Sequence, residues 1–141
     1  MASSPQKPFS ITMPMFWGDM DAQGHLNNVQ YFRYCEQARA EWLRHLGVPL
    51  LPNDKLVLLV VTASCTYLRP IHYPSDVTIS MTIDEIGRSS MMLSYDFFIG
   101  KDFNTSYAKA QSKIVCFDPI EQKSVPVPEL FREYAAGRNK K

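Results

Sequence analysis

Two carboxylates, a histidine and two asparagines stand from Asp19 to Asn28, inside a stretch that runs Trp17-Gly-Asp-Met-Asp-Ala-Gln-Gly-His-Leu-Asn-Asn-Val-Gln-Tyr31. Gly18, Gly24, the aspartates and the asparagines make this a loop. A helical pattern begins directly after it, so the loop feeds a helix N-terminus. Such a terminus offers free backbone N–H groups and the positive end of the helix dipole, which stabilise developing negative charge. A carboxylate beside it could activate water or attack directly. The pairing suits hydrolysis of an acyl group. Asp and Asn are also the commonest loop and cap residues, and His25 could be a satisfied structural histidine. The spacing alone leaves that loop-building reading beside the catalytic one.

The elements around the loop are readable from periodicity. Phe9, Ile11, Met13 and Met15 alternate with polar residues and predict a first strand, placed at an edge or irregularity by Pro14. Asn27 is positioned to cap the following helix, with Gln30 three residues on as in a capping box and Leu26 able to staple onto Tyr31. Tyr31, Cys35, Ala38, Trp42 and Leu46 form one apolar stripe, and Gly47 and Pro49 end it. Val57 to Leu68 begins as a continuous apolar run, which suggests a central strand. Val77 to Ile83, Met91 to Ile99 and Ser106 to Phe117 alternate as three more, with Lys109, Gln111 and Lys113 on one face of the last. The connections at Gly87–Arg88 and Gly100–Asp102 are short enough for antiparallel hairpins. A short helix starting at Pro128 carries Leu130, Phe131 and Tyr134. The order implies an α+β domain, a five-stranded antiparallel sheet with the long helix on one face. One helix leaves part of that sheet for a second subunit to cover.

The chain has 141 residues, 45% of them hydrophobic, and a formal net charge of +1. A chain of about 150 residues buries roughly 70% of its unfolded surface, enough for a core. It reads as a single domain over 1–141, with 1–7 and 138–141 expected to fray. The charge balance argues against nucleic acid or an anionic membrane as main partner. Cys35, Cys65 and Cys116 form no C-x-x-C and are odd in number, so a reducing cytoplasm is the expected setting. The first seven residues lack an apolar signal-peptide run, and the run Leu56 to Val61 is too short to span a bilayer. His45 and His72 have no partner at metal-ligand spacing, so no metal is expected. No Gly-rich phosphate loop and no G-x-S-x-G elbow occurs.

The stretch D-M-D-A-Q-G-H-L-N-N-V-Q-Y-F-R-Y, running into Glu36 and Arg39, resembles the signature of hotdog-fold thioesterases of the 4-hydroxybenzoyl-CoA thioesterase type. The similarity covers nearly the whole domain and includes Tyr67-Leu-Arg-Pro-Ile with Tyr73 and Asp76 before a strand. It implies a hotdog fold, a sheet wrapped around the long helix, and an acyl-CoA thioesterase without a cofactor, since coenzyme A is part of the substrate. It implies that Asp21, the second aspartate of D-x-D, is catalytic, and that a backbone N–H near Asn28 forms the oxyanion hole. His25 and Asn27 match a G-H-x-N-N variant similar to plant acyl-ACP thioesterases, in which the histidine takes a catalytic part. Some bacterial relatives carry a histidine at the position of Asn28 instead. Glu36 lies on the element that supplies a catalytic Glu in another hotdog branch; beside Asp21 a salt-bridge or packing role is favoured. The resemblance also implies a homodimer or homotetramer with active sites at the subunit interface.

The chemistry accommodates a sparse site. A thiol leaving group with a pKa near the cysteine value of about 8.5 needs no strong general acid. Tyr31, Arg69, Arg88, Ser89 and Ser90 are candidates for substrate binding, the arginines and serines for coenzyme A phosphates. Phe16, Trp17, Tyr31, Phe32 and Tyr34 could line an aromatic pocket or belong to the core. Alternatives on the same fold are an acyl-ACP thioesterase, a hydratase or a dehydratase. The hydratase spacing D-x-N-x-x-H differs by one residue, and the dehydratase P-G-x-x-P is absent. A non-catalytic acyl-thioester binding module is the rival from another class.

Overall fold

A computed structural model describes residues 6–49 and 55–137. In chain order it contains β1 (Phe9–Pro14), α1 (Gln30–Leu46), β2 (Val57–Tyr67), β3 (Asp76–Ile86), β4 (Ser90–Ile99), β5 (Ala108–Asp118), the two-residue β6 (Lys123–Ser124) and α2 (Glu129–Ala135). The five main strands pair antiparallel in the order β1-β3-β4-β5-β2, and β6 adds to the end of β5. Both predicted hairpins form: Val77 pairs with Ile99 across β3 and β4, and Phe97 with Ala108 across β4 and β5.

Alternation decides which face meets the helix. Val77, Ile79, Met81 and Ile83 of β3 and Met91, Leu93, Tyr95 and Phe97 of β4 are buried toward α1. Between them Ser80, Thr82, Ser94 and Asp96 turn to the outer face. The helix answers with the predicted stripe: Tyr31, Cys35, Ala38 and Trp42 are buried. Ala38, with no exposed surface, lets the helix lie close to the sheet. Gly47 ends the helix in the left-handed region, φ 81°, which a residue without a Cβ adopts at least cost. Trp42 joins the two helices, its ring 5.3 Å from that of Phe131 and 5.5 Å from that of Tyr134.

Three expectations need correction. The helix begins at Gln30, and Val29 is its cap residue without a side-chain bond. Asn27 caps the turn before it instead, its Oδ1 accepting from Val29 N at 3.1 Å. Pro128 is the cap of α2, not its first helical residue. Most consequentially, β2 is an edge strand, paired only to β5. Its apolar run is not sheathed by this chain: Leu59, Val60 and Val61 are 39%, 45% and 51% exposed. A continuous apolar run implies burial on both faces, and a single chain supplies cover on neither edge nor outer face here.

Gln6 and Lys7, in a stretch expected to fray, are tied in. Gln6 exchanges two bonds with the Ile83 backbone, and Lys7 O accepts from the Tyr134 hydroxyl at 2.8 Å. The rest of that stretch and 138–141 lie outside the described residues. No helix among the described residues is long and apolar enough to cross a membrane.

Trp42→Ala removes the ring that joins α1 to α2. It should cost about 3–5 kcal/mol, the range for emptying an aromatic core site. Urea denaturation should show this as a lowered midpoint at unchanged slope.

Candidate active site

The loop before α1 is fixed at both ends and in its middle. A single 3-10 turn, Trp17–Asp19, brings Asp19 over the helix, where its Oδ2 accepts from the Tyr34 hydroxyl at 2.8 Å. Asn27 N donates to Asp19 O at 2.9 Å, and Met20 and Leu26 form a bridge, so the loop closes on itself. Leu26 N donates to Ile71 O and Tyr73 N to Gly24 O, which pins the loop to the segment leading into β3. Tyr34 is buried and its hydroxyl is held well above the usual range, first by burial and then by Asp19. It therefore stays a proton donor to Asp19.

Within this frame Asp21 forms a tight turn. Its N–H donates to His25 O at 2.7 Å, and its carbonyl accepts from Gly24 N at 3.1 Å. Gly24 sits at φ 79°, where a side chain would be strained although space is open. The Asp21 Oδ1 accepts from Gln23 N at 2.8 Å and from His25 N at 3.1 Å. These two bonds lower the carboxyl pKa below its ordinary 3.8, with a smaller push from His25 and against a small desolvation penalty. Oδ2 takes no protein hydrogen bond among the described residues.

Asp21, His25, Asn28, Tyr31, Tyr67, Leu68 and Arg69 line one open cavity of about 430 Å³. Asn28 sits at its rim, and its backbone N–H donates to no group among the described residues. The Tyr67 hydroxyl donates to Asn28 O at 3.0 Å and so helps set that peptide's orientation. The Tyr67 ring packs edge-on against Tyr31 at 4.8 Å. Burial, then Cys65, Tyr67 and Asp21, pushes the Tyr31 hydroxyl up to about 12, so it remains a neutral donor. The His25 ring stands edge-on to His72, centroids 4.6 Å apart. No group of three or more His, Cys, Asp or Glu among the described residues is arranged to hold a metal.

The predicted residues thus divide into two groups. Asp21, His25, Asn28, Tyr31 and Arg69 come together. Arg88, Ser89 and Ser90 do not: the first two lie in the β3–β4 turn and Ser90 opens β4, at the far end of β3 from the Asp21 loop. With about 3.3 Å per residue along an eleven-residue strand, the separation is roughly 35 Å. Backbone carbonyls of this turn serve structure, Arg88 O accepting from Val127 N and Ser89 O from Cys116 N, both at 2.8 Å. Glu36 is exposed and meets Arg33 at 3.9 Å, a surface pair. Phe16, Trp17 and Phe32 are exposed outside the cavity, and Tyr34 belongs to the core, so of the five aromatic candidates Tyr31 alone lines it. Sequence reasoning missed two supports, Tyr67 at the Asn28 carbonyl and the Asp19–Tyr34 bond. The Tyr67-Leu-Arg-Pro-Ile stretch was the available signal for Tyr67; the second links residues fifteen apart and had none.

Asp21 and Asn28, which line one cavity, bring an ionised carboxylate and a free N–H to a helix start, the kinds of group that acyl hydrolysis uses. The thioesterase-like superfamily model matches residues 16–134. A protein of Aquifex aeolicus, named provisionally as an esterase, is 32% identical over 108 residues, 75% of this chain and 82% of its own. The acyl-CoA thioester hydrolase YbgC of Escherichia coli is 24% identical over 123 residues, 86% of this chain and 90% of its own. Among solved structures, the Pseudomonas aeruginosa protein PA2801, provisionally named a thioesterase, is 32% identical with a TM-score of 0.84, covering 89% of this chain and 97% of its own. The chain belongs to the thioesterase-like superfamily.

Proposed function

We propose that this chain hydrolyses acyl-CoA thioesters to the free acid and coenzyme A, with Asp21 as nucleophile or general base and the Asn28 N–H as oxyanion donor. One observation carries the reading: Asp21 and Asn28 line the same cavity, and neither Asp21 Oδ2 nor the Asn28 N–H takes a hydrogen bond among the described residues. Attack on the thioester carbonyl puts charge on its oxygen, where a fixed N–H stabilises it without reorganisation. The thiolate then leaves without a strong acid. His25 lines the same cavity and would assist water or the departing sulfur. The name of the Escherichia coli relative, a hydrolase of acyl-CoA thioesters, supports this choice of substrate.

A homodimer built on β2 completes the reading. Its edge carries unpaired backbone groups flanked by exposed Leu59, Val60 and Val61, a combination usually hidden by pairing with another chain. A closed twofold dimer is the commonest solution. Arg88, out of reach of its own chain's Asp21, would then serve coenzyme A phosphates bound at a neighbouring copy's site, with Ser89 and Ser90 beside it.

Asp21→Asn should lower kcat by about 10²–10⁴, the scale of losing a nucleophile or general base. The fold should persist, because an amide oxygen still accepts from Gln23 and His25. Asp19→Asn should cost far less, since it keeps an acceptor for Tyr34. Near-wild-type turnover in Asp21→Asn would sink the mechanism.

The pH profile follows from the same two bonds. They favour the ionised form, so any stability Asp21 adds is present above its unfolded pKa and is lost only as pH falls through the lower folded value. The acid limb of kcat/KM due to Asp21 should therefore lie below pH 3.8. An acid limb near about 6.5, the histidine range, would transfer the essential base to an imidazole.

Sedimentation at micromolar concentration should show no sizeable monomer. Val61→Lys, which puts a charge on the exposed edge, should shift the population to monomer and reduce turnover with it. A fully active monomer would contradict the shared site.

A further inference from the structure

A short ladder joins the Asp21 loop to the segment leading into β3, and it sets one histidine against another. Leu26 N donates to Ile71 O at 2.7 Å and Tyr73 N to Gly24 O at 3.0 Å. His25 and His72 stand opposite each other between those two bonds. They are therefore a non-hydrogen-bonded antiparallel pair, the arrangement that brings facing side chains closest. Their rings meet edge-on, centroids 4.6 Å apart and planes at 80°. The His72 backbone is held again by its carbonyl, which accepts from Ser75 Oγ at 2.6 Å.

His25 lines the Asp21 cavity, whereas His72 is exposed and stands outside that lining. A histidine that works in a site is commonly oriented by a hydrogen bond from its second ring nitrogen to a carboxylate or carbonyl. His25 is held differently. Its backbone is bonded to Asp21 on both sides, N–H to Oδ1 and carbonyl to Asp21 N, but among the described residues its ring nitrogens make no hydrogen bond. The aromatic ring it meets there is that of His72. A ring edge carries partial positive charge and a ring face partial negative charge, so a perpendicular pair attracts in a defined geometry. Such a contact restrains the His25 side chain without committing its nitrogens to a protein acceptor.

We propose that His72 is a positioning residue: its ring fixes the His25 imidazole in the Asp21 cavity, in the orientation that thioester hydrolysis uses. This rests on the hydrolase reading and adds to it a residue outside the cavity. His72 acts through His25 and by the packing of its ring, so phenylalanine should replace it and alanine should not.

The test measures kcat and KM on the best cleaved of acetyl-CoA, hexanoyl-CoA and benzoyl-CoA. His72→Ala should lower kcat about three- to tenfold, the scale of one aromatic contact, with KM changed by less than about twofold. His72→Phe should stay within about twofold of the wild type, since it keeps an edge-on ring. A double-mutant cycle with His25→Ala shows whether the effect passes through His25: with that imidazole gone, His72→Ala should cost nothing further. An equal loss in both backgrounds, full activity in His25→Ala, or His72→Phe as slow as His72→Ala overturns the inference. NMR of the His25 side chain needs no turnover and so separates the two layers. Its Hα–Hβ couplings should report one rotamer in the wild type and in His72→Phe, and averaging over rotamers in His72→Ala. That pattern in a protein that cleaves none of the esters keeps the positioning of His25 and removes the hydrolase. A single unchanged rotamer in His72→Ala removes the positioning role and leaves the hydrolase. Should His72→Ala fail to fold, His72→Leu, which fills the space without a ring, decides in its place.

Discussion

The two oxygens of the Asp21 carboxylate have different employments, and the site depends on that division. Oδ1 is bound by the N–H groups of Gln23 and His25, which fixes the rotamer and keeps the group ionised. Oδ2 is then left without a hydrogen bond among the described residues. The same bonds that build the turn also make the carboxylate a weaker base than a solvated one. Efficient proton abstraction favours a base whose pKa lies near the working pH, whereas attack at a carbonyl also gains from proximity and orientation. The arrangement therefore emphasises position over intrinsic basicity, and it needs every neighbouring contact that holds position.

Those contacts reach outward in order. Asp19 ties the loop to buried Tyr34, Leu26 ties it to Ile71, and Tyr67 ties the Asn28 peptide to β2. The anchors belong to three elements, α1, β2 and the segment before β3, that converge at one end of the sheet. Trp42 and the apolar stripe keep α1 seated on the sheet, so packing far from the loop sets where the Asn28 N–H stands. At the other extreme β2 leaves an apolar edge open. An edge of that kind is an aggregation hazard in a lone chain.

Much of the fold was legible in the sequence because alternation and the helical stripe are local signals. The five strands, the two hairpins and both helices follow from residues within a dozen positions of one another. The position of β2 was misread for a physical reason: an apolar run reports that a strand will be covered, not which chain covers it. The helix start was displaced because Asn27 bonds Val29 in a turn that resembles a cap. Asp21, His25 and Asn28 were legible through the D-x-D and G-H-x-N-N patterns, whereas the Asp19–Tyr34 and Tyr67–Asn28 bonds depend on folding distant residues together. Arg88 drew notice by residue type and turn position, features that carry no information on its distance from Asp21.

The central claim is that the thioester carbonyl sits between Asp21 Oδ2 and the Asn28 N–H. A crystal structure of the protein with an acyl-CoA analogue in which a methylene replaces the sulfur tests it directly, since that ketone cannot be hydrolysed. The account predicts the ketone oxygen at about 2.7–3.1 Å from Asn28 N, the spacing of a working oxyanion donor. It also predicts the carbonyl carbon facing Oδ2 at about 3–3.5 Å, a near-attack distance. A ketone bound with its oxygen turned to solvent, or seated away from Asp21, would contradict it.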